Sequence, residues 1–173
     1  MRRNTIAKLA APTPAQMVHR PRVVQALGEM LQDSHAWLAA PGGYGKTTAA
    51  ADYLQRRGGP FLWCRLDEDD QDPASFYHYL GLALDPADAA ALPTFSAEYA
   101  DQPLAFARRF FRAFFAALPD GLILVLDDVQ DAECEAFDDA LASLLREAPP
   151  HVRCLFLSRT LPADRLRDAA LAG

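Results

Sequence analysis

Ala40-Pro41-Gly42-Gly43-Tyr44-Gly45-Lys46-Thr47-Thr48 fits the phosphate-loop pattern: Ala or Gly, any four residues, Gly-Lys, then Ser or Thr. Its flanks are those the pattern needs. His35-Ala36-Trp37-Leu38-Ala39 is a short apolar run suited to a buried strand, and Thr48-Ala49-Ala50-Ala51-Asp52-Tyr53-Leu54 is a good helix opening. In such a strand–loop–helix, Gly42, Gly43 and Gly45, with Tyr44 among them, permit a tight turn. Its backbone N–H groups converge on phosphate oxygens, backed by the positive end of the helix dipole. Lys46 is then placed to reach the β and γ phosphates, and the Thr47 hydroxyl to ligate Mg2+. The alternative is a glycine-rich turn with a solvated lysine. The strand before and the helix after favour the phosphate loop, with a nucleoside triphosphate as its ligand.

A chain of 173 residues is long enough for one well-formed core and short for two domains. At 51% hydrophobic and 23% charged it has the composition of a globular protein. The formal net charge of -6 argues against direct nucleic-acid binding, because phosphate backbones reward a basic face. Cys64, Cys134 and Cys154 are isolated thiols with no C-x-x-C pair. That pattern suits a reducing compartment and small core residues better than a disulfide frame or a zinc site. His19, His35, His78 and His151 are dispersed without metal-ligand spacing. No uncharged apolar run approaches membrane-spanning length, and Met1-Arg2-Arg3-Asn4 is not followed by a signal-peptide core. The expected location is the cytoplasm, with no membrane partner.

Outward from the loop, apolar runs alternate with helical segments. Pro21 opens a helix running to about Asp33, and residues 1–34 form a segment leading into the site. After the loop, Arg56-Arg57-Gly58-Gly59 supplies cations and then a glycine stop. Phe61–Leu66 is the second strand, and Asp72-Pro73 caps a helix through about Leu84. Asp85–Pro103 is an irregular connection with one short helical turn at most. Phe106, Phe110, Phe111, Phe114 and Phe115 lie at helical spacing and form a core stripe, not a ligand cage. Leu122–Leu126 is a continuous apolar run typical of a central parallel strand. A helix from about Glu133 to Glu147, a fourth strand Val152–Leu157 and a helix starting near Pro162 complete the order. The expected fold is α/β: a three-layer sandwich over residues 35–173, with a mostly parallel sheet and helices on both faces.

The third strand finishes in Leu126-Asp127-Asp128. An apolar run ending in Asp is the second signature of phosphate-loop nucleotide sites. Asp127 is suited to the Mg2+ hydration shell opposite Thr47, and Asp128 to orienting or deprotonating the attacking water. The alternative is a pair that merely ends a strand. The fourth strand ends in Ser158-Arg159, and carboxyl ends of neighbouring strands share the ligand crevice, so Arg159 can contact the γ-phosphate and report its presence. A surface arginine is the competing reading. The run Asp67-Glu68-Asp69-Asp70-Gln71-Asp72 fails as a calcium loop, since position six is Asp72 where Gly is needed and position twelve is His78. Helix N-terminal acids account for most of it; Asp67 or Glu68 facing the γ-phosphate region is the other reading.

Leu38 to Thr48, Trp63-Cys64-Arg65-Leu66-Asp67-Glu68-Asp69-Asp70, Leu124-Val125-Leu126-Asp127-Asp128 and Phe156-Leu157-Ser158-Arg159 together resemble the ATPase domain of large LuxR-type, maltose-regulon-activator-like transcriptional regulators. These belong to the STAND class of signal-transduction ATPases. Val18-His19-Arg20-Pro21-Arg22 is similar to the segment that there precedes the phosphate loop and lies against the nucleotide base. The resemblance implies a P-loop NTPase fold, ATP/ADP and Mg2+ as ligands, and a switch: ADP holds a closed resting form, while inducer plus ATP opens the protein for self-association. It implies that Lys46, Thr47 and Thr48 bind phosphates and Mg2+, that Asp127 supports the metal and that Asp128 assists hydrolysis. Arg159 would sense the γ-phosphate, and Arg20 would sit near the base.

Members of that family also carry a helical lid, a winged helix, a sensor repeat array and a DNA-binding helix-turn-helix. Here the chain reaches Leu171-Ala172-Gly173 soon after its fourth strand, an apparent truncation. The expectation is a domain of a larger regulator, or a short homologue completed by a partner, with strand one left as an apolar edge. A slowly hydrolysing ATP switch is the leading reading. The alternatives are a small P-loop kinase and a non-hydrolysing interaction module that keeps the fold. The kinase lacks an arginine-rich lid, since Asp85–Pro103 holds no Arg or Lys.

Overall fold

The computed structural model describes residues 6–13, 20–99 and 101–171. The Met1–Asn4 tail and the Val18-His19 part of the pre-loop segment lie outside the described residues. Four strands, β1 (Ala36–Ala39), β2 (Phe61–Arg65), β3 (Ile123–Asp127) and β4 (Arg153–Ser158), form one sheet in the order β1-β4-β3-β2. Every pairing in it is parallel, with Val125 level with Trp63 on one side and Leu155 on the other.

Alternation of side chains along the strands divides the core in two. Ile123, Val125, Leu155, Leu157 and Trp63 face α1 (Pro21–Asp33) and α2 (Lys46–Arg57), meeting Leu27, Leu31, Ala50 and Leu54. Leu124, Leu126, Cys154 and Phe156 face the opposite way. They are covered by α3 (Pro73–Leu82), α5 (Pro103–Ala116), α6 (Glu135–Glu147) and α7 (Asp164–Leu171), with the four-residue α4 (Pro86–Ala89) between α3 and α5. β3 is buried along its whole length because helices cover both of its faces, which is why its sequence is a run and not an alternation.

The phenylalanine stripe is core. All five rings of α5 are buried, and Phe111 packs against Phe76 of α3. The 85–103 connection is more ordered than its composition suggests, with α4 and a 3-10 turn at Ala97–Tyr99. Phe95 stacks on Tyr77 and meets Phe106 edge-on at 4.9 Å. Aromatic burial fixes this stretch against the core although its Pro, Ala and Asp residues carry no helical period.

Ala7–Leu9 is a 3-10 turn beside β2, with Leu9 buried. Lys8 Nζ lies 2.6 Å from the fully buried Asp70 and 2.8 Å from Asp67, over the ring of Tyr79. At the far side of the sheet β1 is an edge strand with Trp37, Leu38 and Ala39 half-buried. Trp37 covers part of that edge by stacking on Phe156 and donating its indole N–H to Thr160 O at 3.0 Å. Among the described residues no helix is long and apolar enough to cross a membrane.

Candidate functional site

The loop after β1 turns into α2 at Lys46, and its geometry follows from its glycines. Gly43 has φ +80° and Gly45, the residue before the helix, φ +75°, a region that L side chains rarely enter. A Cβ at Gly43 would meet nothing within 4 Å, so the loop leaves open space where its backbone curls. The twelve-residue α2 begins directly after this curl, and no side chain caps its first N–H groups. Lys46 folds back over the loop and donates to Ala40 O at 2.6 Å and Pro41 O at 3.3 Å. Ala40 N–H in turn donates to Ser158 O, tying the start of the loop to the end of β4.

The paired aspartates stand beside this loop. Asp127 is the last residue of β3, one position further into the strand than the sequence suggests, and is 2% exposed. Its Oδ1 accepts from Thr47 Oγ1 at 3.1 Å and from the Asp128 N–H at 3.0 Å. Burial pushes the Asp127 carboxyl up to about 6; the adjacent Asp128 charge adds to this, while the Thr47 and Asp128 hydrogen bonds and Arg65 oppose it. Asp128 has φ 58°, making it the one non-glycine among the described residues in the left-handed region. The strand therefore ends at a sharp turn that swings the second carboxylate away from the first.

Arg159 follows β4 directly, and its guanidinium Nε lies 4.0 Å from where a Cβ on Gly42 would stand, so it borders the loop. Arg20 also reaches the loop, donating to Tyr44 O at 2.5 Å and lying 3.9 Å from where a Cβ on Gly45 would stand. Thr48 lies in the first turn of α2 and Tyr44 is exposed at the loop crest. The structure thus gathers Gly42 to Thr48, Asp127, Asp128, Arg159 and Arg20 at the carboxyl ends of β1, β3 and β4, where open parallel sheets form their ligand crevice.

Two side chains not singled out by the sequence join this group. Arg65, at the end of β2, donates from Nε to Asp128 Oδ2 at 3.0 Å, and Gln130 donates from Nε2 to Asp128 Oδ1 at 3.3 Å. Neither sits in a spacing pattern: the strand register sets Arg65 level with Asp127, and the 3-10 turn after β3 brings Gln130 back onto Asp128.

The acidic run resolves into structural roles. Asp67 caps the 3-10 turn Glu68–Gln71 in a reciprocal capping box with Asp70, and Asp72 caps α3 by accepting from Ala74 N–H. Asp67 and Asp70 are further engaged by Lys8. His35 is also structural: its Nδ1 accepts from Cys154 N–H, and burial together with Arg153 lowers its pKa. Cys64 and Cys154 are free and buried, with burial pushing both thiols up to about 12. No cluster of three or more His, Cys, Asp or Glu side chains fit for a metal occurs among the described residues.

A divalent cation at Thr47 and Asp127 would find one hydroxyl and one carboxylate oxygen 3.1 Å apart. Such hard oxygen donors suit Mg2+ when phosphate and water complete its shell. The glycine curl and helix start suit a phosphate for the reasons given above.

No profile of a known protein family matches the chain. Among individual proteins, the HTH-type transcriptional regulator MalT of Cronobacter sakazakii is 30% identical over 90% of this chain, and that of Vibrio cholerae 32% identical over 83%. The chain spans only 16–18% of the length of these relatives. The ORC1 protein of Aeropyrum pernix, solved in complex with DNA, superposes with a TM-score of 0.62 at 17% identity, covering 91% of this chain and 44% of that one. A likeness at that identity establishes the fold alone, a parallel α/β sheet with helices on both faces. Over most of its own length the chain is a homologue of the MalT-type regulators, and its motifs resemble their STAND-class P-loop ATPase domain.

Proposed function

We propose that this chain binds ATP and ADP with Mg2+ and acts as a slowly hydrolysing nucleotide switch, residues 35–173 forming the domain core and residues 1–34 the segment leading into the site. The observation that carries this reading is the contact of Thr47 with Asp127 beside an open glycine loop at a helix start. Lys46, now held by loop carbonyls, would exchange them for β and γ phosphate oxygens, since an ammonium gains more from anionic oxygens than from carbonyls. Gly42, Gly43, Tyr44 and Gly45 would offer backbone N–H groups, and Thr48 would hold the phosphates from the first helical turn. Thr47 and Asp127 would hold Mg2+, which when bound neutralises charge on the phosphate oxygens. Asp128 would orient the attacking water or accept its proton, and Arg159 would contact the γ-phosphate. Arg20, bonded to Tyr44 O, would sit near the nucleotide base.

A switch requires that the two nucleotides favour different states, because a ligand that binds both states equally shifts nothing. The γ-phosphate contacts of Arg159 and Asp128 would supply that difference. The partners proposed are the nucleotide and either a second copy of the chain or the C-terminal regulatory domains of a larger protein. Neither direct nucleic-acid binding nor membrane association is proposed, and the cytoplasm is the proposed location. Packing of the 85–103 stretch into the aromatic core, together with its lack of cations, speaks against a kinase lid.

Phosphate release from Mg-ATP tests the assignment of hydrolysis. The parent should turn over slowly without any added acceptor, and Asp128→Asn should keep Mg-ATP affinity while losing about a hundredfold in rate. Equal turnover in the two proteins would remove Asp128 from the mechanism. ADP release that depends on an added acceptor would replace the switch by a kinase.

A further inference from the structure

We propose that Gln130 is a positioning residue that locks the Asp128 carboxylate to the turn carrying Arg159, so that γ-phosphate contact and water activation move together; this rests on the nucleotide-site reading above. Gln130 lies in the 3-10 turn Val129–Asp131 that follows β3 directly. Its carboxamide faces two ways. Nε2 donates to Asp128 Oδ1 at 3.3 Å, and Oε1 accepts from the Arg159 backbone N–H at 2.8 Å. One planar amide therefore joins the ends of β3 and β4.

The amide has only one workable orientation. Turned over, it would set an NH2 against the Arg159 N–H and a carbonyl against the Asp128 carboxylate, losing both bonds. The other carboxylate oxygen of Asp128 is taken by Arg65 Nε from the end of β2. Arg65, Asp128, Gln130 and the Arg159 N–H thus form one line of hydrogen bonds across three neighbouring strand ends. Asp128 stands in the left-handed region, where its backbone is poorly held by local preference, so side-chain partners set where its carboxylate points. Arg159 borders Gly42 of the loop. Displacement of its turn on contact with a γ-phosphate is carried through Gln130 to the carboxylate that faces the attacking water. Because the bond comes from the backbone of Arg159, it survives replacement of the arginine side chain, which makes sensing and positioning separable.

A double-mutant cycle on the purified chain tests this, reading single-turnover phosphate release, ATP and ADP affinity and melting temperature. Gln130→Glu keeps the acceptor for Arg159 N–H and sets a like charge against Asp128; Gln130→Leu removes both bonds. Each should slow phosphate release by about tenfold while leaving ADP affinity within about twofold of the parent, as for loss of an orienting partner. In an Asp128→Asn background the same substitutions should add almost nothing, because residues acting as a unit are not additive. A Gln130 variant as fast as the parent, or effects that multiply in the double variant, would overturn the proposal while the nucleotide site stands. If the parent binds without turning over, the cycle is read on the ratio of ATP to ADP affinity: a ratio lowered by Gln130→Leu only when Asp128 is present supports the proposal, and an unchanged ratio overturns it. A parent that binds neither nucleotide overturns the site reading and this proposal with it.

Discussion

The hydroxyl of Thr47 donates to the Asp127 carboxylate at 3.1 Å, joining residues 80 positions apart in the chain. The contact closes the gap between the first turn of α2 and the end of β3, and sets two oxygen donors where a cation would be shared. In its absence the buried carboxylate would have only the Asp128 N–H as a neutralising neighbour at that oxygen.

The raised pKa of Asp127 makes stability depend on pH. The unfolded carboxyl titrates near 3.8 and the folded one near 6, so folding favours the protonated form. The associated stability is fully present below about pH 4 and is lost as pH rises through about 6. Asp127→Asn keeps both hydrogen-bond acceptor roles without the charge. In Mg-free buffer it should therefore be more stable than the parent at pH 8, by about 2–3 kcal/mol, with the gap closing towards pH 4. Denaturant titrations across that range measure it; a parent more stable than the variant at pH 8 would show that the buried charge is better compensated than its neighbours suggest.

Gly45 and Gly42 should respond differently to a methyl group. Gly45→Ala forces a left-handed alanine at φ +75° and should cost about 1–2 kcal/mol, besides weakening nucleotide binding. At Gly42 the nearest atom to a Cβ is Arg159 Nε at 4.0 Å, and Gly42→Ala should stay within about 0.5 kcal/mol of the parent. Thermal melts of the two variants give the comparison, and equal losses would mean that the loop does not hold this curl in solution.

Lys8 is expected to matter to stability although it lies far from the loop in sequence. Its ammonium is the partner of Asp70, which is fully buried. Lys8→Ala leaves that carboxylate without its cation and should cost about 3–5 kcal/mol. Truncating both, as Lys8→Met with Asp70→Leu, should recover much of the loss. A neutral Lys8→Ala would mean that the Ile6–Leu9 turn does not stay on β2.

Much of the fold is legible from local chemistry. Four apolar runs gave four strands within one residue of their observed bounds, because a parallel strand covered on both faces needs a continuous run and has little freedom of length. Pro21, Pro73 and the Gly58 stop mark helix ends through φ restriction and missing donors, and the observed helices respect them. The proposed nucleotide ligands are legible for the same reason: a strand–loop–helix carries its glycines, lysine and threonine in one stretch. What escaped notice depends on register and long-range pairing. Arg65 reaches Asp128 only because β2 lies beside β3, and Lys8 finds Asp70 across 62 positions through packing that no period announces. The aromatic anchoring of Phe95 is likewise set by where α3 and α5 leave a gap.

Calorimetric titration of ATP and of ADP, each with Mg2+, into the parent chain and into Lys46→Ala addresses the central claim most directly. The lysine is held by two loop carbonyls and lies outside the core, so the variant should melt within a few degrees of the parent. The account predicts saturable micromolar binding of both nucleotides by the parent and at least about a hundredfold weaker binding by the variant, the loss of a charge-assisted phosphate contact. Equal affinity in the two folded proteins, or no binding by a folded parent, would contradict it.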